Sequence, residues 1–431
     1  MSRRAVNRDP VFIDVFAGCG GLSLGLLRAG WRGLFAVEKD AFAFDTLQSN
    51  LLGPNARYGY NWASWLEQKP WAIEELISAH YERLSKLRGQ VDLLAGGPPC
   101  QGFSSAGRRR HKDPRNRLVE RYLEFVDLVQ PRIVLIENVK GITYDFAASS
   151  SSTSRRNFAN ELIARLEENY HVYKDTVPCS AYGVPQRRPR FFLVGILKND
   201  LDLPNRGDPF AHLQSAKDDF LSARRLRAKV SCQQAISDLE VARAGTWECP
   251  DSKGYDAVRT TKPRTNFQRL MRDGYDGPIS DTRLAKHRPH IVKRFAKIID
   301  ECKKSDRLDV QINREMRERY GIKKMATRVL DPAKVSPTIT SMPDDLLHYS
   351  EPRTLTVREN ARLQTFPDWF SFHGKYTTGG DRRAREVPRF TQVANAVPPL
   401  LAEMWGEVLL KYLRPQRRAK AQRAIARREA A

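Results

Sequence analysis

Hydrophobic positions between residues 11 and 197 gather into five short runs, separated by stretches in which apolar residues recur at helical spacing. The first run, Val11 to Val15, passes through a turn holding Gly18, Gly20 and Gly21 into a segment with Leu22, Leu26 and Leu27 on one helical face. The second, GLFAVEKD, reaches Glu38 and leads into a helix pattern carrying Ala41, Phe44 and Leu47. The remaining three are VDLLAGG, RIVLIENVKG and RFFLVGIL, with the helix pattern LVERYLEFVDLVQP before the fourth run. Unbroken apolar runs alternating with helices predict strands buried on both faces, and so a mostly parallel sheet. Residues 1–197 read as one α/β domain.

The alternation is lost between Lys198 and Glu386, where basic helix-like stretches such as RPHIVKRFAKIIDECKK mix with short extended pieces such as SPTITS. A domain of a different kind is expected there. The pattern TQVANAVPPLLAEMWGEVLLKYL predicts a helix that returns to pack on the first domain, and the residues after Pro415 form a basic tail expected to fray. The stretch AASSSSTSRRN has the composition of a flexible surface loop.

Charge adds a partner to this picture. The 431 residues carry 73 Lys and Arg against 50 Asp and Glu, a formal net charge of +23, which favours a polyanion such as nucleic acid. The excess is densest between Arg283 and Arg328, with 15 basic residues against 6 acidic ones. No run approaches the ~18 to 20 apolar residues of a membrane span, and MSRRAVNRDP lacks the apolar centre of a signal peptide, so a cytoplasmic protein, nucleoid-associated through DNA, is expected. Six cysteines (Cys19, Cys100, Cys179, Cys232, Cys249, Cys302) are too sparse for a disulfide framework and lack zinc-site spacing, so free thiols and no metal are expected.

Glycines after a first strand let the backbone approach a ligand closely, and an acidic residue ending the next strand can accept hydrogen bonds from a ribose. Gly18, Gly20, Gly21 and Glu38 fit that pattern. On its own it suits a nicotinamide, a flavin, S-adenosylmethionine or simply a tight structural turn. Cys100 is more telling. It follows Gly-Gly-Pro-Pro after an apolar strand, at the edge where open α/β sheets bind ligands, and such a loop favours a nucleophile over a packing thiol.

FAGCGG, PPCQGFS, ENVKG, YGVPQRRPRFFLVG, LTVRENARLQTFPDWF and QVANAVPP occur in that order between Phe12 and Leu401. In these six motifs the chain resembles the DNA (cytosine-5) methyltransferases. The resemblance implies a Rossmann-like, S-adenosylmethionine-dependent methyltransferase fold, made of residues 1–197 plus 387–431, with a smaller target-recognition domain, 198–386, inserted. It implies S-adenosyl-L-methionine as cofactor, double-stranded DNA as partner, cognate restriction or defence proteins, and a monomer. Cytosine C5 is a poor nucleophile until a thiolate adds at C6, and the resemblance gives that addition to Cys100. It gives the acid at N3 to Glu137 and the cation near O2 to Arg190, with Arg188 in support; phosphate contacts are the competing role for the two arginines. The cofactor would be lined by Phe16, Gly18, Gly20, Gly21 and Leu22, with Glu38 on the ribose and Pro99, Leu118, Asn395 and Val397 closing the site. Two positions depart from the family pattern: Asn61, with Trp62 beside it, where an acidic acceptor for adenine is usual, and Lys39, where an apolar or aromatic neighbour often sits.

The target cytosine must leave the duplex to reach such a site, and Ser104, Ser105 and the basic run Arg108 to His111 suit a loop that closes over it. An RNA cytosine methyltransferase, a nicotinamide oxidoreductase and a silent DNA-binding regulator are the rival readings. The long insert favours DNA over RNA, and the joint presence of Cys100, Glu137 and Arg190 disfavours the other two.

Overall fold

The computed structural model describes residues 9–99, 116–144, 146–147, 155–156, 158–198, 200, 207–379, 382 and 386–413. Cys100, Ser104, Ser105, the run Arg108 to His111, most of the serine-rich stretch and the basic tail lie outside the described residues.

The strands are β1 (Val11–Val15), β2 (Arg32–Val37), β3 (Leu93–Gly96), β4 (Ile133–Val139), the short pair β5 (Phe146–Ala147) and β6 (Arg155–Arg156), β7 (Tyr170–Pro178) and β8 (Pro189–Leu197). Six of them form one sheet in the order β2-β1-β3-β4-β8-β7. β1 pairs in parallel with β2 and β3, and β3 with β4. Successive residues serve two different cores: Phe12, Leu93, Ala95 and Leu135 face one, and Ile13, Val15, Leu94 and Val134 the other. That double burial is why these strands read as unbroken apolar runs.

Two features of the sheet were not foreseen. β7 pairs along its whole length with β8, yet as an edge strand it exposes polar residues such as His171 and Lys174 and carries no apolar run. β8, expected from RFFLVGIL, runs antiparallel to β4, with Arg190 opposite Val139 and Phe192 opposite Glu137. Periodicity carries no information on strand direction. The reversal has a consequence for chemistry: the start of β8 lies beside the end of β4.

One face of the sheet is covered by α1 (Gly21–Arg28) and the returning helix Pro399–Leu413, the other by helices Ile73–Ser85, Asn116–Val129 and Phe158–Glu167. The returning segment is two helices, not one. Arg389–Asn395 stops at Ala396, and Pro399 opens the second helix, because Pro398 forces an extended residue before it and lacks an N–H. Gly25 of α1 lies so close to this helix that a Cβ there would stand 2.4 Å from Ala402 Cβ and 2.5 Å from Pro399 O. Trp31 Nε1 donates to Gly406 O at 3.0 Å, and Arg28 pairs with Glu403 at 3.1 Å.

The core on this face does not break at residue 198 or 386. Leu330, Ile339, Tyr349, Val357, Phe366 and Phe370 belong to the same cluster as Phe12, Leu26 and Trp405. A separate small core is formed by Phe295, Ile298, Ile299, Cys302, Ile312, Met316, Val329 and Leu347. Among the described residues no helix is long and apolar enough to cross a membrane.

Gly25→Val is expected to force α1 away from helix Pro399–Leu413 and to destabilise the fold by about 1–3 kcal/mol. The control is Gly53→Ala, where the nearest atom to an added Cβ is Ser49 O at 3.8 Å. Urea denaturation should show a lower midpoint for the valine variant and little change for the control; equal midpoints would refute the close-packing argument.

Candidate active site

The turn after β1 is built from three left-handed residues, Phe16 (φ 62°), Gly18 (φ 57°) and Gly20 (φ 91°). For Phe16 this is a strained conformation that the surroundings must hold; its ring lies 6.5 Å from that of Tyr122, near parallel. A Cβ on Gly18 would meet open space, whereas one on Gly21 would lie 2.5 Å from Val397 O. The chain leaves room at one glycine and none at the other.

Glu38, half-buried just past β2, closes this turn from the side. Its Oε2 accepts from Gly18 N at 2.9 Å and its Oε1 from Asp40 N at 2.8 Å. Burial pushes its pKa up, and the two backbone donors pull it back. Leu22 and Val397 are buried beside the turn, Asn395 and Lys39 are exposed at its rim, and Pro99 is half-buried. Leu118 is buried at the start of its helix in the core that holds Ile13 and Val15. The open space at Gly18, bounded by an acidic side chain, fits an adenosyl cofactor.

Asn61 does not join this group. Its backbone N donates to Gly33 O, near the start of β2, and five residues of strand, roughly 16 Å, separate that level from Glu38. Trp62 is taken up in packing: its ring lies edge-on to Phe35, Phe44 and Tyr60, and its indole N–H donates to Leu66 O at 2.7 Å. Apolar runs alone cannot register this segment against β2.

On the other side of β3, the edge holds the second half of the site. Asn138 Nδ2 donates to Pro98 O at 3.0 Å, pinning the Gly-Pro-Pro segment that precedes Cys100 against the end of β4. Gly97 is tight against the same strand, where a Cβ would lie 3.4 Å from Glu137 Oε2 and 3.3 Å from Glu137 O. Glu137 is 7 % exposed, and its Oε1 lies 2.9 Å from Arg190 Nε. The same oxygen lacks a well-aligned hydrogen bond, so the contact is an ion pair rather than a directed bond.

Arg188 is 2 % exposed, which removes the phosphate-gripping role for it. Its Nη2 donates to Ala396 O at 3.1 Å, while Nε and Nη1 are buried without a hydrogen-bond partner. Burial, with Arg190 nearby, lowers its pKa to about 9. Two unpartnered guanidinium nitrogens beside a paired carboxylate await an acceptor such as a pyrimidine oxygen. The five described cysteines are all buried. Burial pushes Cys19 and Cys179 up to about 12 and raises Cys232, Cys249 and Cys302, so none of them is suited to act as a thiolate.

A polar chain that was not foreseen runs beneath the cofactor turn. Tyr60 OH donates to Ser23 Oγ at 2.7 Å, and Ser23 Oγ donates to Asp14 Oδ2 at 2.5 Å. Asp14 interrupts β1 as VFIDV, and a lone acid inside an apolar run is the signal that would have found it.

Comparison with known proteins follows this geometry. The model of the C-5 cytosine-specific DNA methylase family matches residues 11–411. Type II methyltransferase M.DdeI of Desulfomicrobium norvegicum is 32% identical over 413 residues, covering 93% of this chain and 88% of the relative. Type II methyltransferase M.XorII of Xanthomonas oryzae pv. oryzae is 28% identical over 430 residues, covering 94% and 85%. In fold, the chain is similar to a solved E. coli structure described as a prophage-encoded DNA modification methyltransferase, with a TM-score of 0.63 at 24% identity over 94% of this chain and 99% of that one.

Burial raises the Asp14 pKa from 3.8 to about 7. An acid whose folded value is raised holds its proton more tightly when folded, so stability falls as pH rises from about 3.8 to about 7. Asp14→Asn removes that slope. Urea denaturation at about pH 5 and about pH 8 should therefore show a smaller loss on raising the pH for the variant than for the parent; equal losses would refute the assignment.

Proposed function

The chain belongs to the C-5 cytosine-specific DNA methylase family, and from that premise we propose that it methylates C5 of a flipped-out cytosine within a specific duplex sequence, through a covalent bond between Cys100 and C6. It is a DNA (cytosine-5)-methyltransferase, and family membership implies S-adenosylmethionine as methyl donor and DNA as substrate. We assign it to a prokaryotic restriction-modification or defence setting, in line with its similarity to Type II methyltransferases.

The observation that carries this reading is the ion pair of Glu137 with Arg190 beside the pinned Gly97–Pro99 segment. The Cys100 thiolate adds to C6 of the cytosine. Negative charge then develops through the ring toward N3 and O2. Glu137 protonates or hydrogen-bonds N3 from its Oε2 side, and the cations of Arg188 and Arg190 stabilise O2. The resulting enamine carbon, C5, is the nucleophile for the methyl group that bound S-adenosylmethionine would supply, its S–CH3 bond breaking to leave S-adenosylhomocysteine. Loss of the C5 proton to a base, expulsion of the Cys100 thiolate and return of the N3 proton to Glu137 restore the aromatic ring.

Phe16, Gly18, Gly20, Gly21, Leu22 and Glu38 would hold the cofactor, with Asn395 and Lys39 at the rim. Pro99, Leu118 and Val397 would shape the walls. Asn61 and Trp62 are left out of that set. The catalytic body takes residues 1–197 and 387–431, and the insert 198–386 carries target recognition, centred on the separate small core around Phe295 and Ile298. The exposed Lys293 and Lys297 lie on the helix Pro289–Lys304 of that core. Arg294 on the same helix is committed to packing, since its Nη1 donates to Tyr320 O at 3.1 Å.

Cys100→Ser is expected to abolish methyl transfer from labelled donor while leaving duplex binding largely intact. Duplex carrying 5-fluorocytosine should trap a covalent adduct, mapped by mass spectrometry to the peptide of Cys100, because fluorine cannot leave as the proton does. Turnover by the serine variant at the parent rate, or an adduct on another cysteine, would refute the mechanism.

Lys293→Glu and Lys297→Glu should weaken binding to any duplex alike. Each should flatten the slope of log affinity against log salt by roughly 0.9. An effect confined to one duplex sequence would instead make the residue a base contact.

A further inference from the structure

Residues 186–188 point alternately. Gln186 and Arg188 are turned inward and buried, while Arg187 between them is turned outward, its side chain 48% exposed. Its Nη2 lies 2.6 Å from Asp309 Oδ2. Asp309 is not part of the catalytic body. Its backbone N donates to Val329 O at 2.7 Å, and Val329 belongs to the separate small core. The Arg187 backbone is held as well: its N donates to Ser336 O at 2.7 Å, and its O accepts from Thr338 Oγ1.

Stability does not explain how Asp309 is set. Its backbone is left-handed (φ 66°), its side chain is 5% exposed, and its Oδ1 is buried without a hydrogen-bond partner. An unpartnered buried oxygen costs free energy, whereas an ion pair with a half-exposed arginine returns little. Burial pushes the pKa of this carboxylate up, and Arg187, Arg328 and Lys334 only partly counter it, with Asp331 adding to the rise. What the arrangement does provide is a direct tie from the small core to the residue next to Arg188.

We propose that the Arg187–Asp309 ion pair is a positioning device, through which seating of the small core on DNA sets the orientation of Arg188 and Arg190 at the cytosine. The inference rests on the assignment of the small core to target recognition and of the two arginines to O2. A rotation of the backbone at Arg187 is passed directly to Arg188, whose side chain is otherwise fixed by the single bond to Ala396 O. Arg190 follows two residues on, paired with Glu137. Small misplacements at reacting groups have large kinetic effects, so a weak pair can matter more to rate than to stability.

The test uses full-length protein, a duplex containing one methylated site, and the variants R187Q, D309N, the double variant and R187K. Asparagine tolerates the left-handed backbone and keeps the shape of aspartate, and Arg187 is exposed enough for replacement without loss of fold. Each of R187Q and D309N is expected to lower kcat by about 10- to 100-fold. KM for duplex and the calorimetric Kd for S-adenosylmethionine should stay at the parent values. The double variant should fall no further than the worse single one, because the same contact is lost in both. R187K, which keeps the charge, should recover part of the loss.

Parent kcat in either single variant would overturn the proposal. So would additive losses in the double variant, or a change confined to KM for duplex, which would make Arg187 a phosphate contact. A parent enzyme that fails to methylate any duplex would be seen before the variants are compared; it would count against the reaction itself and remove what the pair is said to position.

Discussion

A single carbonyl oxygen, that of Ala396 in the returning segment, joins the segment of Arg188 to the insert. It accepts from Arg188 Nη2 of the base site at 3.1 Å and from Gln364 Nε2 of the insert at 2.5 Å. The next carbonyl, of Val397, lies against Gly21 of the cofactor turn. That oxygen is free because of sequence. In an unbroken helix it would take the N–H of Leu400, but Pro398 ends the helix, and Leu400 N donates instead to Thr365 Oγ1 at 3.1 Å. The two prolines of QVANAVPP thus create an acceptor, and buried donors from distant segments converge on it. Gln364 Oε1 in turn takes Gln186 Nε2 at 2.6 Å, and Gln186 Oε1 takes Ile339 N at 3.0 Å. Inside the protein each of these bonds is strong and its loss costly, so displacement of one segment disturbs the others.

Buried charge fixes the segments of the insert to one another. Arg362 is fully buried and pairs with both Asp238 (3.1 Å) and Asp368 (2.5 Å), and Arg358, equally buried, reaches Asp281 at 3.4 Å and donates to Pro367 O at 3.0 Å. Such pairs add little net stability compared with apolar residues of the same volume, but breaking one strands the other charge. They select one arrangement of residues 238–281 against 356–370. Arg353, bonded twice to Glu359, does the same for the loop before that helix. The small core around Phe295 lies outside this web; the Arg187–Asp309 pair joins it to the QRRPR segment, and Leu346–Leu347, paired with Arg328–Val329, pass from the common core into it.

Five of the strands were legible because a strand covered on both faces has to be apolar throughout. β7 was not, because an edge strand open to water needs no such pattern. The tight turn at Gly18 and Gly20 and its acidic neighbour Glu38 were legible, since a glycine cluster and an acid at a strand end are visible as letters. Asn61 was not legible in this way. Its position depends on the register of a loop against β2, and no residue type marks register there. The inserted segment read as a separate unit because its charge hides its packing: Leu330, Ile339, Val357 and Phe366 share a core with Phe12, Leu26 and Trp405, while Arg358 and Arg362, which read as surface residues, are buried and tie its own segments together.

The direction of β8 shows how topology, rather than residue type, completes the site. In an all-parallel sheet, ligands gather at the carboxyl ends of the strands, and a motif at the start of a strand lies at the opposite edge. QRRPR precedes β8. Had RFFLVGIL run parallel to β4, Arg188 and Arg190 would stand a full strand length, roughly 25 Å, from Glu137. Because β8 is reversed, Arg190 pairs across from Val139 and its guanidinium reaches Glu137 at 2.9 Å. The carboxylate arrives at the end of one strand and the cations at the beginning of the next. Reversal of one strand therefore does for the arginines what the parallel order does for Glu38 and Gly97: it brings residues far apart in sequence to one edge of the sheet.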